Sequence, residues 1–150
     1  MVAMPMKSNP PREPGAPLST SSAALVAEAN ALVPPISVDE AKSLVGSRDV
    51  LFVDIREPGE WEREGIIPGA HRAPRGMLEF WVDPDSPYYR PALDDGRRLL
   101  LYCGSAWRSA LAAAALVRMG RTDVTHLAGG FSAWRAADGP VEEYPPGGQR

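Results

Sequence analysis

The stretch Leu99-Leu100-Leu101-Tyr102-Cys103-Gly104-Ser105-Ala106-Trp107-Arg108-Ser109 decides the fold. Its first four residues form a continuous apolar run without polar alternation, the pattern of a strand covered on both faces. A short loop of small residues follows. Ala106–Met119 then reads as a helix: it is rich in alanine, with Arg118 in its last turn and Gly120 just past its end. A buried strand, a short loop and a helix in that order make half of a βαβ unit, so the class is α/β.

The same alternation extends on both sides. Val50–Val53 is a second apolar run expected as a buried strand, and Ile36–Val38, Ala70–Ala73 and Val124–Leu127 are shorter strand candidates. Ser22–Val33 has helix formers at helical spacing and stops before Pro34-Pro35. Ser37-x-x-Glu40 is a capping box that opens a helix to about Val45, ended by Gly46. Glu57–Glu64 has Pro58 near its first helical position and ends at Gly65. Gly76–Val82 and Gly130–Ala136 are expected as two further short helices. Residues 1–20, rich in proline, read as a disordered N-terminal tail, 21–141 as one folded domain and 142–150 as a flexible C-terminal tail.

Composition narrows the function classes. Of 150 residues 44% are hydrophobic, enough for a real core, and a net charge of −3 gives no global attraction to nucleic acid or to an anionic membrane. The longest purely apolar run, Ala110–Val117, is far too short to span a bilayer, and no N-terminal basic region precedes an apolar stretch. One cysteine cannot form an internal disulfide, and with His71 and His126 it makes no metal-ligand spacing, so a cytoplasmic protein without a metal is expected.

In an α/β sheet, ligands sit at the carboxyl ends of the strands. Two such ends carry polar residues: Asp54-Ile55-Arg56 and Cys103-Gly104-Ser105. A cysteine between a strand end and a helix N-terminus is expected to lie over backbone N–H groups and at the positive end of the helix dipole, which favours the nucleophilic thiolate. Arg108 adds a fixed charge and a two-point fork for an oxyanion. Gly104 and Ser105 allow close backbone approach to a ligand. On the residues alone, two readings of Cys103 stand side by side: a small buried core residue, or a nucleophile. Trp107 is either a pocket-rim residue or a helix-start residue packed on the surface. Asp54 and Arg56 are expected chiefly as a buried pair supporting the loop, and His71 and His126 as structural or surface histidines.

Three stretches together resemble the rhodanese-like family. Cys103 to Ser109 is similar to its active loop C-x-x-G-x-R-S, with Ala106 in the place of the usual glycine. Asp54-Ile55-Arg56-Glu57-Pro58-Gly59-Glu60-Trp61, then Gly65-Ile66-Ile67-Pro68-Gly69-Ala70, resembles the D-x-R…E-[WY]…G-H-I-P-G-A segment, with Ile66 replacing histidine. Leu127-Ala128-Gly129-Gly130-Phe131-Ser132-Ala133-Trp134 is similar to the family's L-x-G-G-x-x-x-W. The resemblance implies a three-layer fold, with a five-stranded parallel sheet and helices on both faces. It also implies a sulfurtransferase that carries sulfur as a persulfide on Cys103, from thiosulfate or a related anionic or persulfide donor to cyanide or a thiol. The amides of residues 104–108 would hold the persulfide, Arg108 would help hold the donor, and no metal or organic cofactor is implied. Phosphatases of this fold use C-x5-R, whereas the spacing from Cys103 to Arg108 is C-x4-R, a tighter ring suited to a sulfur atom. The alternative is a non-catalytic module of the same fold that binds a partner or senses redox state.

Overall fold

The structure, a computed structural model, describes residues 11–144. Residues 1–10 of the expected N-terminal tail and 145–150 of the expected C-terminal tail lie outside these described residues. Four parallel strands form one sheet: β1 (Val50–Asp54), β2 (His71–Arg72), β3 (Arg98–Tyr102) and β4 (Val124–His126), in the order β2-β1-β3-β4. The helices are α1 (Ser22–Leu32), α2 (Val38–Lys42), α3 (Pro58–Glu64), α4 (Leu78–Val82), α5 (Trp107–Arg118) and α6 (Gly130–Ala136).

Side chains alternate across the two central strands, and the alternation builds two separate cores. Leu51 and Val53 of β1, with Leu99 and Leu101 of β3, face Leu78 and Val82 of α4 and Ala112, Ala113 and Leu116 of α5. Phe52, Leu100 and Tyr102 face the other way, against Ala41, Phe131 and Trp134 of α2 and α6. The run of small residues on α5 serves both its neighbours: Ala110 and Ala114 pack on Val26 and Ala29 of α1, while Ala112 and Ala113 meet the sheet. Helices therefore cover both faces, as expected.

The sheet departs from expectation in its strand number. Ile36, expected in a fifth strand over Ile36–Val38, makes a single parallel bridge to Leu127. Pro34 and Pro35 precede it, and Ser37 already caps α2, its Oγ accepting from Glu40 N at 3.1 Å, so no room remains for a strand. Helix α2 also ends at Lys42 rather than near Val45. The helix expected over Gly76–Val82 is preceded by a 3-10 turn, Arg75–Met77, before α4 begins. At the C-terminus, Glu142 was expected in the tail but forms an antiparallel bridge with Ile66: each backbone N–H donates to the other's carbonyl, at 2.8 and 2.9 Å. The Tyr144 ring then packs at 5.6 Å from Trp61. Among the described residues no helix is long and apolar enough to cross a membrane.

Candidate active site

Cys103 follows the last residue of β3 and keeps the strand's alternation, so its side chain turns toward the α5 side of the sheet and is fully buried. Two backbone amides point at the sulfur. Ala106 N donates to Sγ at 3.2 Å, and Ser109 N donates at 3.4 Å. The loop amides were expected to come from residues 104–108; Ala106 is one of these, but the second donor is Ser109, one residue further on. The reason is helical geometry. Ala106 is the N-cap of α5, so Ser109 is its third residue, whose N–H has no partner within the helix. Cys103 Sγ therefore serves as the acceptor that a capping side chain ordinarily supplies.

Folding the loop back on the sulfur requires a left-handed turn at its end. Ala106 adopts φ 78°, ψ −1°, the region in which a glycine carries no penalty. An alanine there costs roughly 1 kcal/mol. The loop holds the shape because α6 fastens its other side. Phe131 N donates to Cys103 O at 2.7 Å, and Ser132 N to Gly104 O at 3.1 Å. The approach is so close that a Cβ on Gly130, itself at φ 63°, would lie 2.6 Å from Gly104 O and 2.7 Å from Cys103 O. That contact explains the second glycine of the Leu127–Trp134 motif.

Arg108 lies across the mouth of the loop. A Cβ built on Gly104 would stand 3.2 Å from its Nη2 and 3.8 Å from Glu60 Oε1. The guanidinium is engaged by Glu60 at two points, Nη1 to Oε2 and Nη2 to Oε1, both 3.0 Å. The hydrogen bond from Arg108 holds the Glu60 carboxyl down at about 2, against the opposing effect of its partial burial. The same bond raises Arg108, against the opposing effect of its own partial burial. Glu60 is the residue that sequence reasoning missed here: it stood inside a motif, but nothing local ties it to an arginine 48 positions away. Ser105 and Trp107 point outward, Trp107 with half of its surface exposed.

Asp54 and Arg56 are brought together and fully buried, with Nη2 to Oδ2 at 2.8 Å and Nε to Oδ1 at 3.0 Å. Arg56 also donates to Glu64 Oε1 at 2.8 Å and to Gly65 O at 2.7 Å, and its guanidinium lies 4.1 Å from the centre of the Phe131 ring. One side chain thus joins the end of β1 to both ends of the site, α3 and α6. Behind the loop, Ser109 Oγ lies 3.1 Å from His126 Nδ1, and His126 Nε2 lies 2.8 Å from Asn30 Oδ1. An amide oxygen only accepts, so Nε2 carries the ring proton and Nδ1 accepts from the serine hydroxyl. Burial pushes the His126 imidazole down to about 4, so the ring is neutral. No group of histidine, cysteine or carboxylate side chains among the described residues is arranged to hold a metal.

This geometry has clear relatives. The chain is 33% identical to a sulfurtransferase of Allochromatium vinosum over 101 residues, 67% of this chain and 86% of that one. It is 34% identical over 91 residues, 61% of its length, to the probable adenylyltransferase/sulfurtransferase MoeZ of Mycobacterium tuberculosis, of which it spans only 21%. Among solved structures, a protein of unknown function from Rhodopseudomonas palustris, described as a possible tyrosine phosphatase, superposes with a TM-score of 0.81 at 43% identity, covering 85% of this chain and 98% of the other. The sequence pattern of the rhodanese-like domain matches residues 37–137, from the cap of α2 to the end of α6, and the chain belongs to that family.

Proposed function

We propose that this protein is a sulfurtransferase that carries a sulfane sulfur on Cys103. The observation that carries the reading is the pair of backbone N–H groups, from Ala106 and Ser109, aimed at Sγ from the start of a twelve-residue helix. A core cysteine needs no such donors. An anionic sulfur does, because an unpaired charge away from water is costly. The Cys103 thiolate attacks the outer sulfur of a donor; with thiosulfate, the donor's S–S bond breaks and its electron pair leaves as sulfite. The persulfide then gives its terminal sulfur to cyanide or to a thiol, and the thiolate returns. This is nucleophilic catalysis through a covalent intermediate. Gly104 and Ser105 leave the loop open to close approach, Trp107 stands at its rim, and Arg108 faces the incoming anion. Asp54 and Arg56 support the loop from beneath. The domain is read as residues 21–141 and the setting as cytoplasmic.

Intact mass after incubation with a panel of sulfane donors tests this. The wild type is expected to gain one sulfur atom and to lose it on addition of cyanide, and Cys103→Ser to gain nothing. Absence of any adduct across the panel would instead favour a binding or redox-sensing module. The C-x4-R spacing argues against a phosphatase; Cys103-dependent hydrolysis of an aryl phosphate would reverse that judgement.

A further inference from the structure

We propose that His126 is a positioning residue for sulfur transfer: through the hydroxyl of Ser109 it sets the backbone amide that faces the sulfur of Cys103. The inference rests on the sulfurtransferase reading, in which that sulfur is the nucleophile, and adds a residue to it. Ser109 meets its surroundings at two points. Its backbone N–H donates to Cys103 Sγ at 3.4 Å, and its Oγ lies 3.1 Å from His126 Nδ1. This amide is the longer of the two donors to the sulfur, Ala106 N lying at 3.2 Å, so it has more to lose if the first turn of α5 shifts. That turn needs holding, because the N-cap Ala106 makes no side-chain hydrogen bond. Arg108, paired with Glu60, ties its outer side, and Ser109, resting on His126, ties its buried side.

His126 is firmly mounted for this task. It ends β4 in register with Leu101, two residues before Cys103, and its carbonyl accepts from Ile36 N at 2.9 Å. The ring thus stands on the strand beside the one that carries the nucleophile. Asn30 of α1 holds the protonated Nε2 at 2.8 Å, which leaves Nδ1 an acceptor with no proton of its own. The serine hydroxyl also lies 3.4 Å from Ala106 O, a longer contact to a carbonyl that already accepts from Ala110 N, so its one proton goes to the imidazole. Burial keeps the ring neutral against a smaller, opposite effect of the Val33 carbonyl. His126 therefore takes no proton from the cysteine; it fixes the direction of one on Ser109. Packing alone does not call for this chain. The other buried residues of α5 are Ala110, Ala112, Ala113, Ala114 and Leu116, and an alanine at position 109 would fill the same face without burying a hydroxyl and an imidazole together.

The test is single-turnover sulfur loading of Cys103, read by intact mass, with thiosulfate and with glutathione persulfide as donors. Ser109→Ala and His126→Leu should each lower the saturating rate on the order of tenfold, the scale of weakening one hydrogen bond to a charged atom. The half-saturating donor concentration should stay within about twofold, since neither residue touches the donor. His126→Asn, whose amide oxygen takes the place of Nδ1 as acceptor, should recover most of the rate while still costing stability. The nitrogen-15 spectrum of wild-type His126 should show a bare Nδ1 and a protonated Nε2. A wild-type rate in Ser109→Ala, or no recovery in His126→Asn relative to His126→Leu, would reduce the contact to structural support and overturn the proposal, as would a protonated Nδ1. If His126→Leu does not fold, Ser109→Ala and the spectrum decide. Loading of the wild type from neither donor overturns the sulfurtransferase reading itself, whereas normal loading with unaffected variants overturns the role of His126 alone.

Discussion

Acidification should unfasten this fold through His126. The ring is fully buried between Ser109 and Asn30, and desolvation is what lowers it from 6.5 to about 4. In the unfolded chain the imidazole takes up its proton near pH 6.5; in the folded chain it resists until about pH 4. Between those values the unfolded state binds more protons, so stability rises with pH. The contribution is fully present above pH 6.5 and drains away as pH falls toward 4. At about 1.4 kcal/mol for each pH unit separating the two states, it reaches ~3 kcal/mol, a large share of the 5–15 kcal/mol typical of a domain. Urea denaturation from about pH 7 to about pH 4.5 measures most of it, in a window that stops at the ordinary carboxylate value of 4.5, below which the Glu60 contribution drains away. His71 is also lowered, chiefly by burial, so the effect of His126 is isolated by comparison with His126→Gln. Wild type should lose at least ~2 kcal/mol more than the variant across that window. Equal losses in the two proteins would refute the argument that the buried ring is neutral because it is dry.

Three further substitutions probe the loop and its supports. Ala106→Gly should raise stability by about 0.5–1 kcal/mol, seen as a higher Tm, because glycine occupies φ 78° without strain; a lower Tm would show that the alanine is not strained there. Gly130→Ala should cost more than ~3 kcal/mol and abolish sulfur loading, since its methyl meets two backbone oxygens that cannot step aside; normal loading would disprove the clamp of α6 on the loop. Asp54→Asn should cost about 3 kcal/mol in urea denaturation by leaving the buried Arg56 charge short of its partner, and a loss under ~1 kcal/mol would mean that Glu64 alone suffices.

The parts of this structure legible in the sequence are those whose cause is local. The two apolar runs of β1 and β3 and the alanine face of α5 announce themselves by pattern, and the cysteine loop follows from the strand and helix on either side of it. Ser109 was legible in principle: once α5 is given a start, the third residue must have an unpaired N–H. Glu60 was not, because its pairing with Arg108 arises only when α3 and α5 are brought to the same end of the sheet. The missing fifth strand has the opposite cause. Ile36 has strand character, but a proline pair on one side and a capping serine on the other leave it a single bridge. The His126–Asn30 contact joins positions 96 residues apart: the histidine was expected as structural or surface, but nothing local tied it to Asn30.

The hold of α6 on the carbonyls of Cys103 and Gly104 has a consequence for how the protein becomes competent. Synthesis runs from the N-terminus, so all four strands and Cys103 are made before Phe131 and Ser132 exist. A nascent chain halted short of Gly130 carries the cysteine without its shaped cradle. The loop around Cys103 is thus completed last, when the final helix docks on its carbonyls.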